Sequence, residues 1–181
     1  MLSEGTNSYI MKYNNDVDAL FAMADLAFSE NRIEEAKGLL EEILFIDPHY
    51  GRAYNHLGWF YMIKIEDAEK AEELFNLALK YSPNYPAAYY HMARLYMQSH
   101  RLDEAMDILN KALKLPMADE ATIYDLIGGV YESKGNNTKA FEYLKMAKAK
   151  ATNNDFIEYI KGEIKRVKSK MSPWHALTTM L

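Results

Sequence analysis

Residues 86–116 read PAAYYHMARLYMQSHRLDEAMDILNKALKLP, and this stretch decides the fold. Its apolar residues recur every three or four positions, which predicts two amphipathic helices at about 86–98 and 102–114. Ala93 and Ala105 are small residues, and two helices joined by a short turn approach closely only where their contact carries Ala or Gly. Pro116 marks the end of the second helix, because proline cannot continue a hydrogen-bonded helix interior.

The same pattern occurs four times, in units that begin near Val17, Gly51, Pro86 and Ala121, with offsets of 34, 35 and 35 residues. A small residue is eighth in every unit: Ala24, Gly58, Ala93 and Gly128. An alanine follows in the second half of every unit: Ala36, Ala71, Ala105 and Ala140. Tandem copies of a helix pair predict an all-α solenoid of antiparallel helix pairs. The first helices are expected at about 18–29, 51–63, 86–98 and 120–133, and their partners at about 33–46, 67–81, 102–114 and 137–149.

Three further positions recur. They are a tyrosine at position eleven, a bulky apolar residue at position twenty-four and a proline near position thirty-two: Tyr61, Tyr96 and Tyr131; Leu40, Phe75, Leu109 and Leu144; Pro48, Pro83 and Pro116. With the small residue and the alanine, this pattern resembles the tetratricopeptide repeat (TPR) family. The resemblance implies a TPR superhelix with repeats at 17–50, 51–85, 86–120 and 121–152. One extra residue falls near 64–67 and another near 116–120, and both are expected in turns.

Segments outside the repeats have separate predictions. Residues 1–16 are expected to form a loosely ordered N-terminal arm. Residues 153–171 are expected to form a capping helix, because terminal repeats need a cover for their apolar face. Its apolar residues fall on one helical side: Phe156, Ile157, Ile160, Ile164 and Val167.

The last ten residues, 172–181, form an apolar tail. Pro173 suits the first position of a short helix, on which Trp174, Leu177 and Leu181 would share one face. Apolar anchors at this spacing are how a helix binds in a hydrophobic groove. The tail could pack on its own chain, bind a neighbouring copy or partner, or be disordered. Docking between copies would make the protein a self-assembling homo-oligomer.

Composition excludes several classes of protein. The formal net charge of −5 argues against a general nucleic-acid binder. No apolar run approaches the roughly 18 residues that a membrane span needs, so no membrane insertion is expected. The N-terminus lacks the basic and apolar regions of a secretory signal, and cytoplasmic localisation is the expectation.

Family resemblance places partner binding on the concave wall formed by the first helices. The inward positions of each unit give the candidate peptide-binding residues Phe21, Asp25, Phe28, Arg52, Asn55, Trp59, Met62, Tyr90, Arg94, Met97 and Asp125. Large aromatic and arginine side chains are enriched at binding hot spots, and methionine adds adaptable apolar area. The resemblance therefore implies an adaptor or chaperone-like scaffold that binds a peptide or helical segment of another protein.

One known TPR specificity does not fit the residues. Family members that hold the acidic C-termini of heat-shock chaperones use lysines and asparagines at inward positions. Phe21, Asp25 and Ala87 occupy three of those positions here, so no such binding is expected.

Nothing in the sequence indicates catalysis. Cysteine is absent, and the five histidines form no close ligand pair, so neither a metal site nor a cofactor is predicted. His56 and His91 occupy the same slot of successive repeats and are interpreted as satisfied interhelical histidines. No phosphate-binding loop or nucleophile motif occurs, and the protein is not expected to be an enzyme.

Overall fold

The computed structural model describes residues 4–171, with side chains described from residue 16 onward. Within this range the chain forms nine α-helices and no strand. It divides into two compact units, Met1–Tyr85 and Pro86–Leu181. None of the described helices is both long and apolar enough to cross a bilayer.

In the first unit the helices are α1 Glu4–Ser29, α2 Ile33–Ile46, α3 Gly51–Phe60 and α4 Ala68–Tyr81. In the second unit they are α5 Pro86–Gln98, α6 Leu102–Ala112, α7 Glu120–Ser133, α8 Asn137–Lys150 and α9 Asn154–Ser169. Helix α1 packs on α2, α3 on α4, α5 on α6 and α7 on α8, as expected for four helix pairs.

Helix α1 differs from the prediction because it begins at Glu4 rather than near residue 18. The segment expected to be a loosely ordered arm is therefore largely the first half of this helix. No glycine or proline lies between residues 6 and 17. Once the packed part of a helix has formed, adding further residues to it is far less costly than nucleation, so the helix extends backward.

Core packing in the first unit depends on the small residue at position eight. The buried core of α1, α2, α3 and α4 consists of Val17, Phe21, Ala24, Leu40, Ile43, Ala53, Leu57 and Leu74. Beside it, a Cβ atom added to Gly58 would lie 2.7 Å from Cδ1 of Phe75. Only glycine allows the ring of Phe75 to lie directly on the backbone of α3.

The extra residue of the second repeat is absorbed in a π-helical turn. Residues Tyr61–Ile65 continue α3 with this wider turn, and Glu66 then takes a left-handed conformation at φ 60°. The Asp67 N–H closes the turn on the Tyr61 carbonyl at 3.0 Å. A π turn holds one more residue than an α turn, so α4 keeps its register.

In the second unit, α8 and α9 share a core built from Ala140, Phe141, Leu144, Ala147, Ile160 and Val167. Asn136 caps α8, because its side chain accepts from the Lys139 N–H at 3.1 Å. Glu132 of α7 is only 13% exposed and forms ion pairs with Arg166 and with Lys170 of the α9 C-terminal region, the latter at 2.8 Å. These pairs hold the capping helix on the last repeat.

Candidate partner-binding surface

Aromatic side chains cover the inward face of the first unit. The His56 ring meets Phe21 edge-on with centroids 4.8 Å apart, and the Phe28 and Trp59 rings meet edge-on at 5.7 Å. Phe21 is 3% exposed, whereas Phe28 and Trp59 are half-buried. The face therefore has a buried aromatic floor and a partly exposed aromatic surface.

His56 connects α1 to α3. Its Nε2 lies 2.9 Å from an oxygen of Asp25, and its Nδ1 lies 3.0 Å from the Arg52 carbonyl oxygen. A neutral ring donates to only one of these acceptors, while a protonated ring donates to both. Burial lowers the pKa of His56 and outweighs the two acceptors, which raise it.

Arg52 and Tyr50 surround the same floor. The Arg52 guanidinium lies 4.2 Å from the Phe21 ring centroid and 5.7 Å from that of Tyr85. The Tyr50 hydroxyl donates to Asp18 at 2.8 Å, and burial together with this bond raises the pKa of Tyr50 to about 12. In this unit the polar groups of the wall are therefore engaged with one another.

Three of the predicted binding residues of the first unit lie in its interior instead of on an open wall. Phe21 is covered by His56 and Arg52, Asn55 is 0% exposed, and Met62 is 7% exposed. The repeat register gives the direction of a side chain but not how deeply its neighbours cover it. Asn55 and Met62 thus help to build the helix pair.

The second unit has a more polar inward face. The Tyr90 hydroxyl accepts from the Asp119 N–H at 2.8 Å. The methyl carbon of Met97 would lie 2.9 Å from a Cβ added to Gly129, so it lies against the bare backbone of α7. Arg94 is exposed, and Asp125 is 9% exposed.

Burial raises the pKa of Asp125 to about 6. Glu163 raises it further, while Arg94 and Arg166 lower it. These influences show that α5 and α9 both place charged groups near this residue of α7. Tyr159, also on α9, is half-exposed, and burial raises its pKa.

Sequence reasoning missed the α9 contribution and the role of His56 on the wall. The start of α9 at residue 154 follows the start of α7 at residue 120 by one repeat length, 34 residues. That interval was the available signal that α9 takes the place of a further first helix. The predicted tail residues Trp174, Leu177 and Leu181 lie outside the described residues.

Two family models described as tetratricopeptide repeat match residues 21–89 and 63–128. Together they span residues 21–128, more than half of the 181 residues. The chain belongs to the tetratricopeptide repeat family. TPR arrays are protein-interaction scaffolds, and this TPR chain is such a scaffold. Comparison with curated proteins finds no match.

Solved structures show the same TPR fold. PilF of Pseudomonas aeruginosa superposes with a TM-score of 0.73 at 16% identity, covering 88% of this chain and 76% of its own. A thermophilic TPR protein of Thermus thermophilus gives 0.66 at 18% identity, covering 89% and 86%. MamA of Desulfovibrio magneticus, from residue 41 to its end, gives 0.62 at 17% identity, covering 85% and 90%. At these identities the similarity concerns the α-solenoid fold alone.

Proposed function

We propose that the inward faces of the first helices bind a peptide or helical segment of a partner protein. The observation that carries this proposal is the partly exposed Phe28–Trp59 pair on the first unit. Half-buried rings held edge-on lose little conformational freedom when a ligand covers them, which is why rigid aromatic groups make effective binding anchors.

The exposed faces of the second helices differ in composition from the inward faces of the first helices. The second helices carry carboxylates and lysines on their exposed side, such as Glu34, Glu35 and Glu41 of α2. The inward positions instead carry Phe28, Trp59 and Met97. Aromatic and methionine side chains are over-represented at protein interfaces relative to the rest of the surface.

Capture from native lysate with single variants tests the proposal on each unit. Trp59→Ala removes the aromatic anchor of the first unit, and Arg94→Glu reverses the exposed charge of the second. Phe45→Ala is the matched control, because Phe45 is 89% exposed but lies on a second helix. A protein recovered by the wild type and by Phe45→Ala, and lost with a folded wall variant, supports the proposal. Its affinity is then measured by calorimetry with the purified partner.

The same capture experiment can also refute the proposal. A partner that binds every wall variant with unchanged affinity, but is lost with Phe45→Ala, places recognition on the second helices and refutes the proposal. Grooves that bury a short peptide often reach dissociation constants of about 1 μM, which corresponds to a binding free energy of about −8 kcal/mol.

A second candidate function rests on the spacing of Trp174, Leu177 and Leu181. In this account the tail of one copy binds the inward face of another, and the protein self-assembles. The molar mass of the full chain is compared with that of a version ending at Met171. A mass that falls to that of the monomer on truncation supports self-assembly through the tail, and an oligomer that persists contradicts it.

A further inference from the structure

Asp125 is a buried aspartate of the second unit to which no other residue that the structure describes forms a bond. It is 9% exposed, so its carboxylate keeps a narrow access to solvent, and among residues 16–171 it forms neither a hydrogen bond nor a salt bridge. Buried polar groups in native proteins are nearly always hydrogen-bonded, and each exception calls for an explanation. The Asp125 carboxylate can therefore accept from a donor that lies outside residues 16–171.

Within residues 16–171, the cations of α9 near Asp125 are already paired with other carboxylates. Arg166 is engaged by Glu132 and Glu163, and Lys170 is engaged by Glu132. Arg94 is exposed and, within the described part of the chain, forms no ion pair, although its charge acts on Asp125. One acceptor and one donor of the second unit therefore influence each other without forming an ion pair.

The balance of formal charges indicates which kind of ligand group fits between Asp125 and Arg94. Across α5, α7 and α9 the charged groups here are Arg94, Arg166 and Lys170 against Asp125, Glu132 and Glu163, and their formal charges cancel. A cationic ligand at Asp125 would lie beside Arg94 and Arg166, and an anionic ligand at Arg94 would lie beside a buried carboxylate. A neutral group that carries a donor next to an acceptor satisfies both.

We propose that Asp125 and Arg94 form a subsite for an amide group of the bound partner, whose N–H donates to Asp125 and whose carbonyl accepts from Arg94. This inference rests on the proposed function, since it specifies how the second unit recognises its segment. The amide is either the side chain of an asparagine or glutamine, or a peptide bond of the partner backbone.

Selection from a phage-displayed library of random dodecapeptides tests the subsite on the full-length protein. The baits are the wild type, Asp125→Ala, Asp125→Asn and the control Asp107→Asn, which changes an exposed aspartate on the second helix α6. We expect wild type and control to select a common set that Asp125→Ala does not select. Affinities for a chosen peptide should fall by about tenfold to a hundredfold in Asp125→Ala, the range for a hydrogen bond to a charged group. Asp125→Asn should restore part of the loss.

Two arms distinguish the sources of the amide. Enrichment of asparagine or glutamine at one position, lost with Asp125→Ala, assigns a side chain. If no side chain is enriched, N-methylation of one peptide bond that weakens binding to the wild type but not to Asp125→Ala assigns the backbone. Either result supports the subsite.

Other outcomes overturn it. Enrichment of lysine or arginine that depends on Asp125 shows that the subsite takes a cation instead. Identical selections by wild type and Asp125→Ala show that Asp125 has no part in recognition, while the proposed function stands. If no peptide binds the wild type, the proposed function fails together with the subsite.

Discussion

Replacing Asp125 by asparagine should stabilise the protein, in a way that depends on pH. Burial moves the pKa of Asp125 from 3.8 to about 6 in the folded chain. Each pH unit corresponds to about 1.4 kcal/mol, so the rise of roughly two units amounts to about 3 kcal/mol. Asp125 is only 9% exposed, so solvent screens little of this effect.

The sign follows from where the proton is bound. Below about pH 4 the carboxyl group is neutral in the folded and unfolded chains, and its ionisation contributes nothing to stability. Between about pH 4 and pH 6 the unfolded chain has released the proton while the folded chain retains it, so the free energy of unfolding falls as pH rises. Above about pH 6 the folded protein carries the full cost of the buried charge.

Urea unfolding of wild type and Asp125→Asn at pH 4.0, 5.0, 6.0 and 7.5 measures this cost. Asparagine is uncharged throughout, so the variant should gain little at pH 4.0 and about 3 kcal/mol at pH 7.5. Asp107→Asn, at an exposed position, serves as the control and should show no such divergence. An Asp125→Asn variant that is less stable than wild type at pH 7.5, or a difference that does not change with pH, refutes the reasoning.

Three further predictions concern packing, the buried histidine and the cap. In urea titrations, Gly58→Ala should lower the free energy of unfolding by about 1–3 kcal/mol, because its Cβ would lie 2.7 Å from the Phe75 ring. Gly38→Ala is the control, because nothing lies within 4 Å of the added Cβ, and it should raise the free energy of unfolding by up to about 1 kcal/mol. Equal effects of the two would contradict the close contact. His56→Gln should lose less stability than wild type as pH falls below about 6.5. The reason is that the lowered pKa of His56 makes the folded chain bind fewer protons than the unfolded one. Parallel plots of the free energy of unfolding against pH for the two proteins would contradict this prediction. Glu132→Gln should speed amide hydrogen exchange in α9 but not in α2, because it weakens the ion pairs that hold the cap; unchanged α9 exchange would show that apolar packing alone retains it.

The repeat architecture was predictable from sequence because close helix contacts impose the same small residue in every unit. Gly58 and Gly128 are read from the pattern alone, and the structure places Phe75 and Leu144 against them. The bounds of eight helices agree with the predicted ranges to within two residues when the π turn is counted with α3. The start of α1 was not predictable in this way, since its first half makes no contribution to the repeat pattern.

The binding surface was less predictable, because exposure depends on contacts between helices that periodicity does not describe. Asn55 has an inward register, yet it is fully buried. His56 was interpreted as a satisfied interhelical residue, and the structure gives it Asp25 and the Arg52 carbonyl as partners. The register of Asp125 was sufficient to nominate it, but that it has no partner among residues 16–171 became visible only once α9 was in place.

The ion pairs of Glu132 connect α9 to α7, the helix that carries Asp125. Arg166 and Tyr159 belong to α9, and both lie near enough to Asp125 for their charges to act on one another. Terminal helices are the elements that open most readily in a folded protein. A ligand that contacts α9 should therefore stabilise this helix against local opening. Its binding can be measured as slower amide exchange in α9, a helix that contains no repeat of its own.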